Sequence, residues 1–182
     1  MKKKTILLLL ILSLFLTAST PIHTPPIQIE VRAKAIPKKV LLWKYTPSVI
    51  ICEHAPTDEV AVKKALEWWE GLGYTFYGPY TNDYYRQKCY QNNPHRVILI
   101  TLVSGGNYSH DNMATTTIYS DKNTNEILWT RIELKEGQVE ERVLEHEIGH
   151  ALGWMHSRRR GHMMNDRLPD GGWDSEGLSA NE

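Results

Sequence analysis

Short apolar runs along the chain predict the strands of a sheet. Residues 96–103 are almost continuously apolar, which is typical of a central strand covered on both faces. Residues 49–52 form a shorter β-branched run after Pro47, and residues 74–80 are rich in aromatic residues and threonine. Both compositions favour strands, so three strands are predicted in this part of the chain.

A helix is predicted between the first two strands from the spacing of its apolar residues. These residues are Val62, Leu66, Trp69 and Gly73. Thr57 is a suitable N-cap, because two acidic residues follow it in the positive first turn of the helix. Gly71 or Gly73 is expected to end the helix. The polar residues 81–94 predict a loop.

The second part of the chain predicts a hairpin followed by a helix. Residues 113–120 and 126–134 have strand character and flank a polar loop, which is the pattern of a β-hairpin. A helix is predicted to begin at Val139, and residues 173–178 could start a last helix. This order of elements predicts one α/β (α+β) domain, in which a mixed sheet carries two main helices.

The helix predicted from Val139 carries the sequence His-Glu-x-x-His-x-x-Gly-x-x-His, beginning at His146. His146 and His150 lie on one face of a helix, about one turn apart, and two imidazoles so placed can hold one zinc ion. Glu147 lies beside the first histidine, within reach of a water molecule on the metal but not needed as a ligand. The segment therefore predicts a zinc site with an adjacent general base.

The third histidine of this sequence, His156, needs a turn to reach the same metal. On a continued helix it would lie roughly 15 Å along the axis from His146, too far to share an ion. Gly153 resolves this, because glycine readily adopts the positive φ that ends a helix and turns the chain. Three neutral imidazoles then leave a fourth position open for water, which is typical of catalytic rather than structural zinc sites.

The long histidine motif and the residues after it resemble the metzincin metallopeptidases. Ser157 follows the third histidine directly, and Gly161 and Met164 follow at a spacing most similar to that of the matrixin (matrix metalloproteinase-like) family. The resemblance implies that Met164 is the methionine of a Met-turn, packed beneath the zinc-binding histidines. It covers about residues 48–178 and is motif-specific only in residues 145–165.

The resemblance also implies a fold and an activity. The fold is a metzincin-like zincin catalytic domain, with a mostly parallel sheet and an antiparallel edge strand. The activity is zinc-dependent cleavage of an extended peptide or protein, with Glu147 as general base. The first hairpin strand, about residues 113–119, would be the sheet edge to which substrate adds as an antiparallel strand. Many matrixins also bind calcium, but His110 and Asp111 are only a fragment of such a site, so calcium has no support in the sequence.

Two other interpretations of the motif stay open. Leu144, Ile148 and Leu152 form an apolar stripe, so the segment could be an amphipathic core helix with incidental histidines. The zinc site could also belong to a peptide-binding module that does not turn substrate over. The presence of Glu147 favours catalysis over this second alternative, and the three-histidine set disfavours a purely structural zinc site.

Charge, length and cysteine content indicate which partners, how many domains and which disulfide to expect. The chain has 182 residues, with 21 basic and 21 acidic side chains, so nothing favours nucleic acid or an anionic membrane as a partner. The length fits one domain, which is expected to act as a monomer. In an exported chain Cys52 and Cys89 are expected to form a disulfide, with two free thiols as the alternative.

The first residues predict export. Residues 1–19 combine three lysines, a short apolar run and small residues, which together predict a secretory signal peptide and a secreted or periplasmic location. The apolar run is short for a transmembrane helix, and an uncleaved membrane anchor is the alternative. No stable membrane association is expected after cleavage. Residues 20–39 are proline-rich and predict an extended linker or arm, which leaves residues 40–182 as the catalytic domain.

Overall fold

The computed structural model describes residues 37–103, 113–137, 142–167 and 170–181. The strands are β1 (Ser48–Ile51), β2 (Tyr77–Tyr80), β3 (Val97–Leu102), β4 (Ala114–Ser120) and β5 (Ile127–Leu134). The helices are α1 (Glu59–Glu70), α2 (Asp83–Arg86) and α3 (Val143–Ala151). The strands form one sheet in the order β2-β1-β3-β5-β4. All pairs are parallel except β4 with β5, so the mixed α/β architecture and the mostly parallel sheet are confirmed.

Strand β3 lies at the centre of the sheet and is covered on both faces, as its continuous apolar run predicts. Ile98 and Ile100 belong to the main core, which α1 and α3 complete. Val97 and Leu99 face the opposite side and pack in a smaller cluster with Trp129. The indole N–H of Trp69 on α1 donates to the carbonyl of Glu145 on α3 at 2.8 Å, which joins the two main helices.

Helix α1 is capped by Asp58, so the predicted cap at Thr57 is wrong by one residue. The Asp58 carboxylate accepts from the backbone N–H of Ala61 at 2.8 Å, which satisfies a free donor of the first turn. Gly71 caps the other end, as predicted. Strand β2 is shorter than predicted, because the N–H of Tyr74 still bonds the carbonyl of Trp69 in the turn that leaves the helix.

The prediction of a loop over residues 81–94 is wrong. This segment contains α2 and a 3₁₀ turn, Gln87–Tyr90. Asn82 caps α2 by accepting from the backbone N–H of Tyr85 at 3.2 Å, and the Tyr85 ring stacks on Tyr80 with centroids 3.8 Å apart. Cys89 in the 3₁₀ turn is joined to Cys52, next to the end of β1, by a disulfide. The Asn82 cap, the stacking of Tyr85 on Tyr80 and the disulfide together stabilise helical structure in this polar segment.

Helix α3 begins at Val143 rather than at the predicted Val139. Arg142 precedes it with φ of 75°, a left-handed conformation that the helix cannot continue through, and residues 138–141 lie outside the described part of the chain. No helix forms over residues 173–178, so that expectation is also wrong. The segment instead runs beside the turn at Met163, whose N–H donates to the carbonyl of Asp174 at 2.9 Å.

Several sequence predictions fall wholly or largely outside the described residues. These are the signal peptide over residues 1–19, most of the linker over residues 20–39, and the fragment at His110 and Asp111. Among the residues that the structure describes, no helix is long and apolar enough to cross a membrane.

Candidate metal centre

Three histidines converge at the end of α3. The Nε2 atoms of His146 and His150 lie 3.1 Å apart, those of His146 and His156 3.3 Å, and those of His150 and His156 2.9 Å. Zinc–nitrogen bonds of about 2.0–2.1 Å in tetrahedral geometry would set such nitrogens about 3.3 Å apart. The three side chains could therefore hold one metal ion, with all three nitrogens as ligands.

The second ring nitrogen of two of these histidines is fixed by a backbone carbonyl. Nδ1 of His146 bonds the carbonyl of Met163, and Nδ1 of His150 bonds the carbonyl of Trp154, both at 2.8 Å. A carbonyl only accepts, so the proton resides on Nδ1 and the Nε2 lone pair is free. Lone pairs that face each other at 3.1 Å repel one another but suit a cation between them, so the donor set fits a metal.

Burial keeps the first two histidines in the neutral form that binds metals. It lowers the pKa of His146 to about 4, and the carbonyl of Met163 opposes this only in part. Burial also lowers the pKa of His150 to about 3, with a further contribution from the neighbouring His146. Near neutral pH both imidazoles are uncharged, so a metal ion does not compete with a proton at either side chain.

Gly153 turns the chain so that His156 can return to the other two histidines. Its φ is 95°, as its place in the motif predicts, and its N–H donates to the carbonyl of His150 at 2.8 Å. A Cβ at this position would overlap the backbone carbonyl of Leu41. Glycine is required here for two reasons, the left-handed backbone and the close approach of another segment.

That other segment is a stretch of chain just before β1, and sequence analysis missed its role. Val40 N–H donates to the carbonyl of Gly153 at 3.1 Å, and Met155 N–H donates to the carbonyl of Lys38 at 3.0 Å. The indole N–H of Trp43 donates to the carbonyl of Ala151 at 2.8 Å. Residues 38–43 therefore hold the turn that carries the third histidine, although nothing in their composition indicates this.

Met164 lies fully buried against the middle of α3. A Cβ added to Gly149, between the first two histidines, would overlap the Met164 sulfur and lie 2.7 Å from the Trp69 ring. The carbonyl of Met164 also accepts from the N–H of Ser157 at 2.6 Å, just after the third histidine. The methionine thus packs against the helix that carries the histidines.

His162 supports this turn and was given no role by sequence analysis. It is fully buried, its Nδ1 accepts from the N–H of Met164 at 3.0 Å, and its Nε2 bonds the carbonyl of Glu176 at 3.1 Å. The tautomer is set, because the amide must donate and the carbonyl must accept. His162 is therefore a structural residue of the turn and not a fourth ligand.

Glu147 is buried beside the histidines but does not belong to their converging set. Burial raises the pKa of its carboxyl group to about 7, and a hydrogen bond from Thr116 opposes the shift. The Thr116 hydroxyl lies 2.5 Å from Oε2 of Glu147. A carboxyl group poised near neutrality is suited to exchange a proton, and Thr116 is a second contact that the sequence alone did not reveal.

A cavity of about 470 Å³ follows the third histidine along the chain. It is lined by Arg158, Arg160, Asn165, Asp166, Arg167 and Asp170. Its walls include none of the three histidines and not Glu147, so this cavity does not define the reactive centre.

Comparison of the chain with protein-family models gave no match, and comparison with curated protein sequences gave none either. The structure brings together His146, His150 and His156, and it sets the Glu147 carboxylate next to strand β4.

Proposed function

We propose that the protein is a secreted, zinc-dependent endopeptidase of the metzincin type, most similar to the matrixins. One observation carries the proposal: three imidazole nitrogens within 3.3 Å of one another, with a buried carboxyl group beside them that is not part of the set. Three neutral imidazoles with an open fourth position are typical of catalytic zinc. The adjacent glutamate supplies the proton acceptor that hydrolysis needs.

The reaction is hydrolysis of a peptide bond by water. Zinc held by His146, His150 and His156 would increase the acidity of the attacking water and polarise the scissile carbonyl. Glu147 accepts the proton of that water as it adds to the carbonyl carbon. Glu147 then delivers the proton to the nitrogen of the leaving amine, so the products are one carboxylic acid and one amine. Glu147 lies beside the histidines and is buried, so its carboxylate is placed to take part in both proton transfers.

The substrate would pair with the open edge of β4, the last strand of the sheet. Lys135 N–H donates to the carbonyl of Met113 at 3.0 Å, and β4 and β5 are in antiparallel register. Hydrogen-bonded pairs alternate in such a ladder, so the N–H and C=O groups of Ala114, Thr116 and Ile118 face away from β5. An extended peptide can use these groups as hydrogen-bond partners, which favours a protein or peptide substrate over a small molecule.

The same edge would also serve a peptide-binding module without turnover, which is the second candidate function. Both candidates bind zinc and peptide, but only the enzyme hydrolyses the peptide, so turnover distinguishes them. The presence and burial of Glu147 support the enzyme, since a binding module has no use for a proton acceptor at that place.

The proposal extends to export. A disulfide between Cys52 and Cys89 suits an oxidising compartment, and such bonds are rare in the cytosol. N-terminal sequencing of the mature protein from its culture medium or periplasm should give a start near residue 20, after the predicted signal peptide. A mature chain that begins at Met1 and stays with the membrane fraction would instead indicate an uncleaved anchor.

The function is tested by cleavage of casein or gelatin with zinc-loaded protein, with and without a chelator. The matched control is Glu147→Gln, which keeps the shape of the side chain and all three histidines. It should retain one zinc per chain by atomic absorption and lose roughly 10²–10⁴-fold in turnover. Zinc binding with no cleavage by the parent protein would favour the binding module. Cleavage by Glu147→Gln at the parent rate would contradict the assignment of the base.

A further inference from the structure

The general base of the proposed reaction is held by a residue from a distant part of the chain. The hydroxyl of Thr116, on β4, lies 2.5 Å from Oε2 of Glu147 and 3.2 Å from the main-chain carbonyl of the same residue. The two residues are 31 positions apart. Among the described residues, no other side chain forms a hydrogen bond with the Glu147 carboxylate, so Thr116 is its one fixed partner there.

The contact constrains which carboxylate oxygen can react. A hydroxyl that donates to Oε2 uses one of the two lone pairs of that oxygen, whereas both lone pairs of Oε1 stay available to the attacking water. Thr116 lies opposite Ile132 in the β4–β5 ladder, and its neighbours Thr115 and Thr117, whose main-chain groups face β5, hold it in place. Hydrogen bonds to charged acceptors are short and directional, so the carboxylate orientation is set by the sheet and not only by the rotamers of Glu147.

Thr116 also stands at the proposed substrate edge. Its N–H and C=O face away from β5, whereas its side chain faces α3 and Glu147. Thr116 therefore offers its main-chain N–H and C=O to an added peptide strand and its hydroxyl to the Glu147 carboxylate. A peptide that pairs with Thr116 is consequently in register with the carboxylate that serves it.

We propose that Thr116 is a positioning residue for Glu147, which holds Oε2 so that Oε1 is aimed at the reacting water, and which places the base in register with the bound peptide. The inference rests on the proposed peptidase function. It goes beyond that function because it assigns the orientation of the base to a strand residue outside the histidine motif. The competing explanation is that Thr116 only satisfies a buried carboxyl group and has no effect on the chemistry.

The test compares variants that differ at the hydroxyl. Thr116→Val removes the hydroxyl with little change of shape, and Thr116→Ser keeps the hydroxyl and removes the methyl group. Thr117→Val is the matched control, because that side chain lies on the other face of the same strand and its main chain faces β5. The measurements are kcat and KM on a peptide substrate, zinc per chain, and the position of Glu147 in crystal structures of the parent and Thr116→Val.

Thr116→Val should lower kcat roughly 10- to 100-fold, the effect of losing a hydrogen bond to a charged group in the transition state. Its KM and its single zinc should be unchanged, because the main-chain edge and the three histidines remain. Thr116→Ser should keep most of the parent kcat, and Thr117→Val should equal the parent. The crystal structures should show the Glu147 carboxylate rotated away from its parent position in Thr116→Val.

Several outcomes would overturn the inference. Parental kcat in Thr116→Val would do so, as would an equal loss in Thr117→Val or an unmoved Glu147 carboxylate. If Thr116→Val does not fold, Thr116→Ala carries the same expectation with Thr117→Ala as its control. If the parent protein hydrolyses nothing, the proposed function fails, and the crystal structures alone still decide whether Thr116 orients Glu147.

Discussion

Replacing Gly153 by alanine should weaken both the fold and the metal site. The residue has φ of 95°, and alanine in the left-handed region costs roughly 1–2 kcal/mol. The new Cβ would also overlap the carbonyl of Leu41, which must move. That movement would disturb the hydrogen bonds from Val40 to Gly153 and from Met155 to Lys38, at about 0.5–1.5 kcal/mol each. The combined loss in free energy of unfolding is about 2–5 kcal/mol.

The assay is urea unfolding of the metal-free protein, followed by zinc titration of the folded protein. Gly161→Ala is the matched control, because Gly161 has φ of 78° and an added Cβ there meets nothing within 4 Å. The control should lose only the cost of the left-handed backbone, about 1–2 kcal/mol. Gly153→Ala should lose more, and its zinc affinity should fall because the turn positions His156.

The measurements on Gly153→Ala and Gly161→Ala can contradict this prediction in two ways. If both glycine variants lose the same stability, the approach of Leu41 does not constrain Gly153, and backbone conformation alone explains the glycine. If Gly153→Ala is less stable yet binds zinc with parental affinity, the turn does not set the position of the third histidine. The first result would limit the effect of Gly153 to its backbone conformation. The second would show that the turn contributes to stability but not to metal binding.

Three further predictions follow from other contacts. Protein produced in an oxidising compartment should show no free thiol under denaturing conditions. Replacing both Cys52 and Cys89 by serine should cost roughly 3–4 kcal/mol of unfolding free energy, the chain-entropy value for a loop of this length. Ala114→Pro should raise KM more than it lowers kcat, because it removes an N–H that faces the open edge and not β5. His162→Ala should cost about 2–4 kcal/mol, since it removes a fully buried side chain with two hydrogen bonds.

Each of these predictions has a result that would contradict it. Two free thiols in protein produced in an oxidising compartment would show that no disulfide forms. A folded Ala114→Pro protein with parental KM would indicate that substrate does not pair at this strand; proline at Thr115, whose N–H faces β5, is the control for general damage to the sheet. A His162→Ala protein with the parental urea midpoint would show that the turn does not depend on that residue.

Local features of the chain were predictable from the sequence, because they depend on neighbouring residues. The apolar run of β3 required a strand covered on both faces, and the structure has it at the centre of the sheet. The spacing of His146 and His150 put them on one helix face, and Gly153 had the positive φ expected of it. The helix cap was misplaced to Thr57 because Thr57 and Asp58 are adjacent and both types can cap, so local pattern did not separate them.

Tertiary structure decided the features that join distant residues. The polar segment 81–94 folds into helical turns because Tyr85 stacks on Tyr80 and Cys89 meets Cys52, which local polarity does not indicate. The requirement for glycine at Gly153 is completed by Leu41, more than a hundred residues earlier in the chain.

The same division applies to the candidate site. The histidine motif identifies its own possible ligands and base, since their spacing along a helix and a turn is a local property. The partner of the Glu147 carboxylate is not local: Thr116 reaches it only because β4 packs beside α3. A threonine in a strand has no feature in the sequence that distinguishes this one from Thr115 or Thr117, because the side-chain alternation of the strand and the packing of the helix together select which hydroxyl meets the carboxylate.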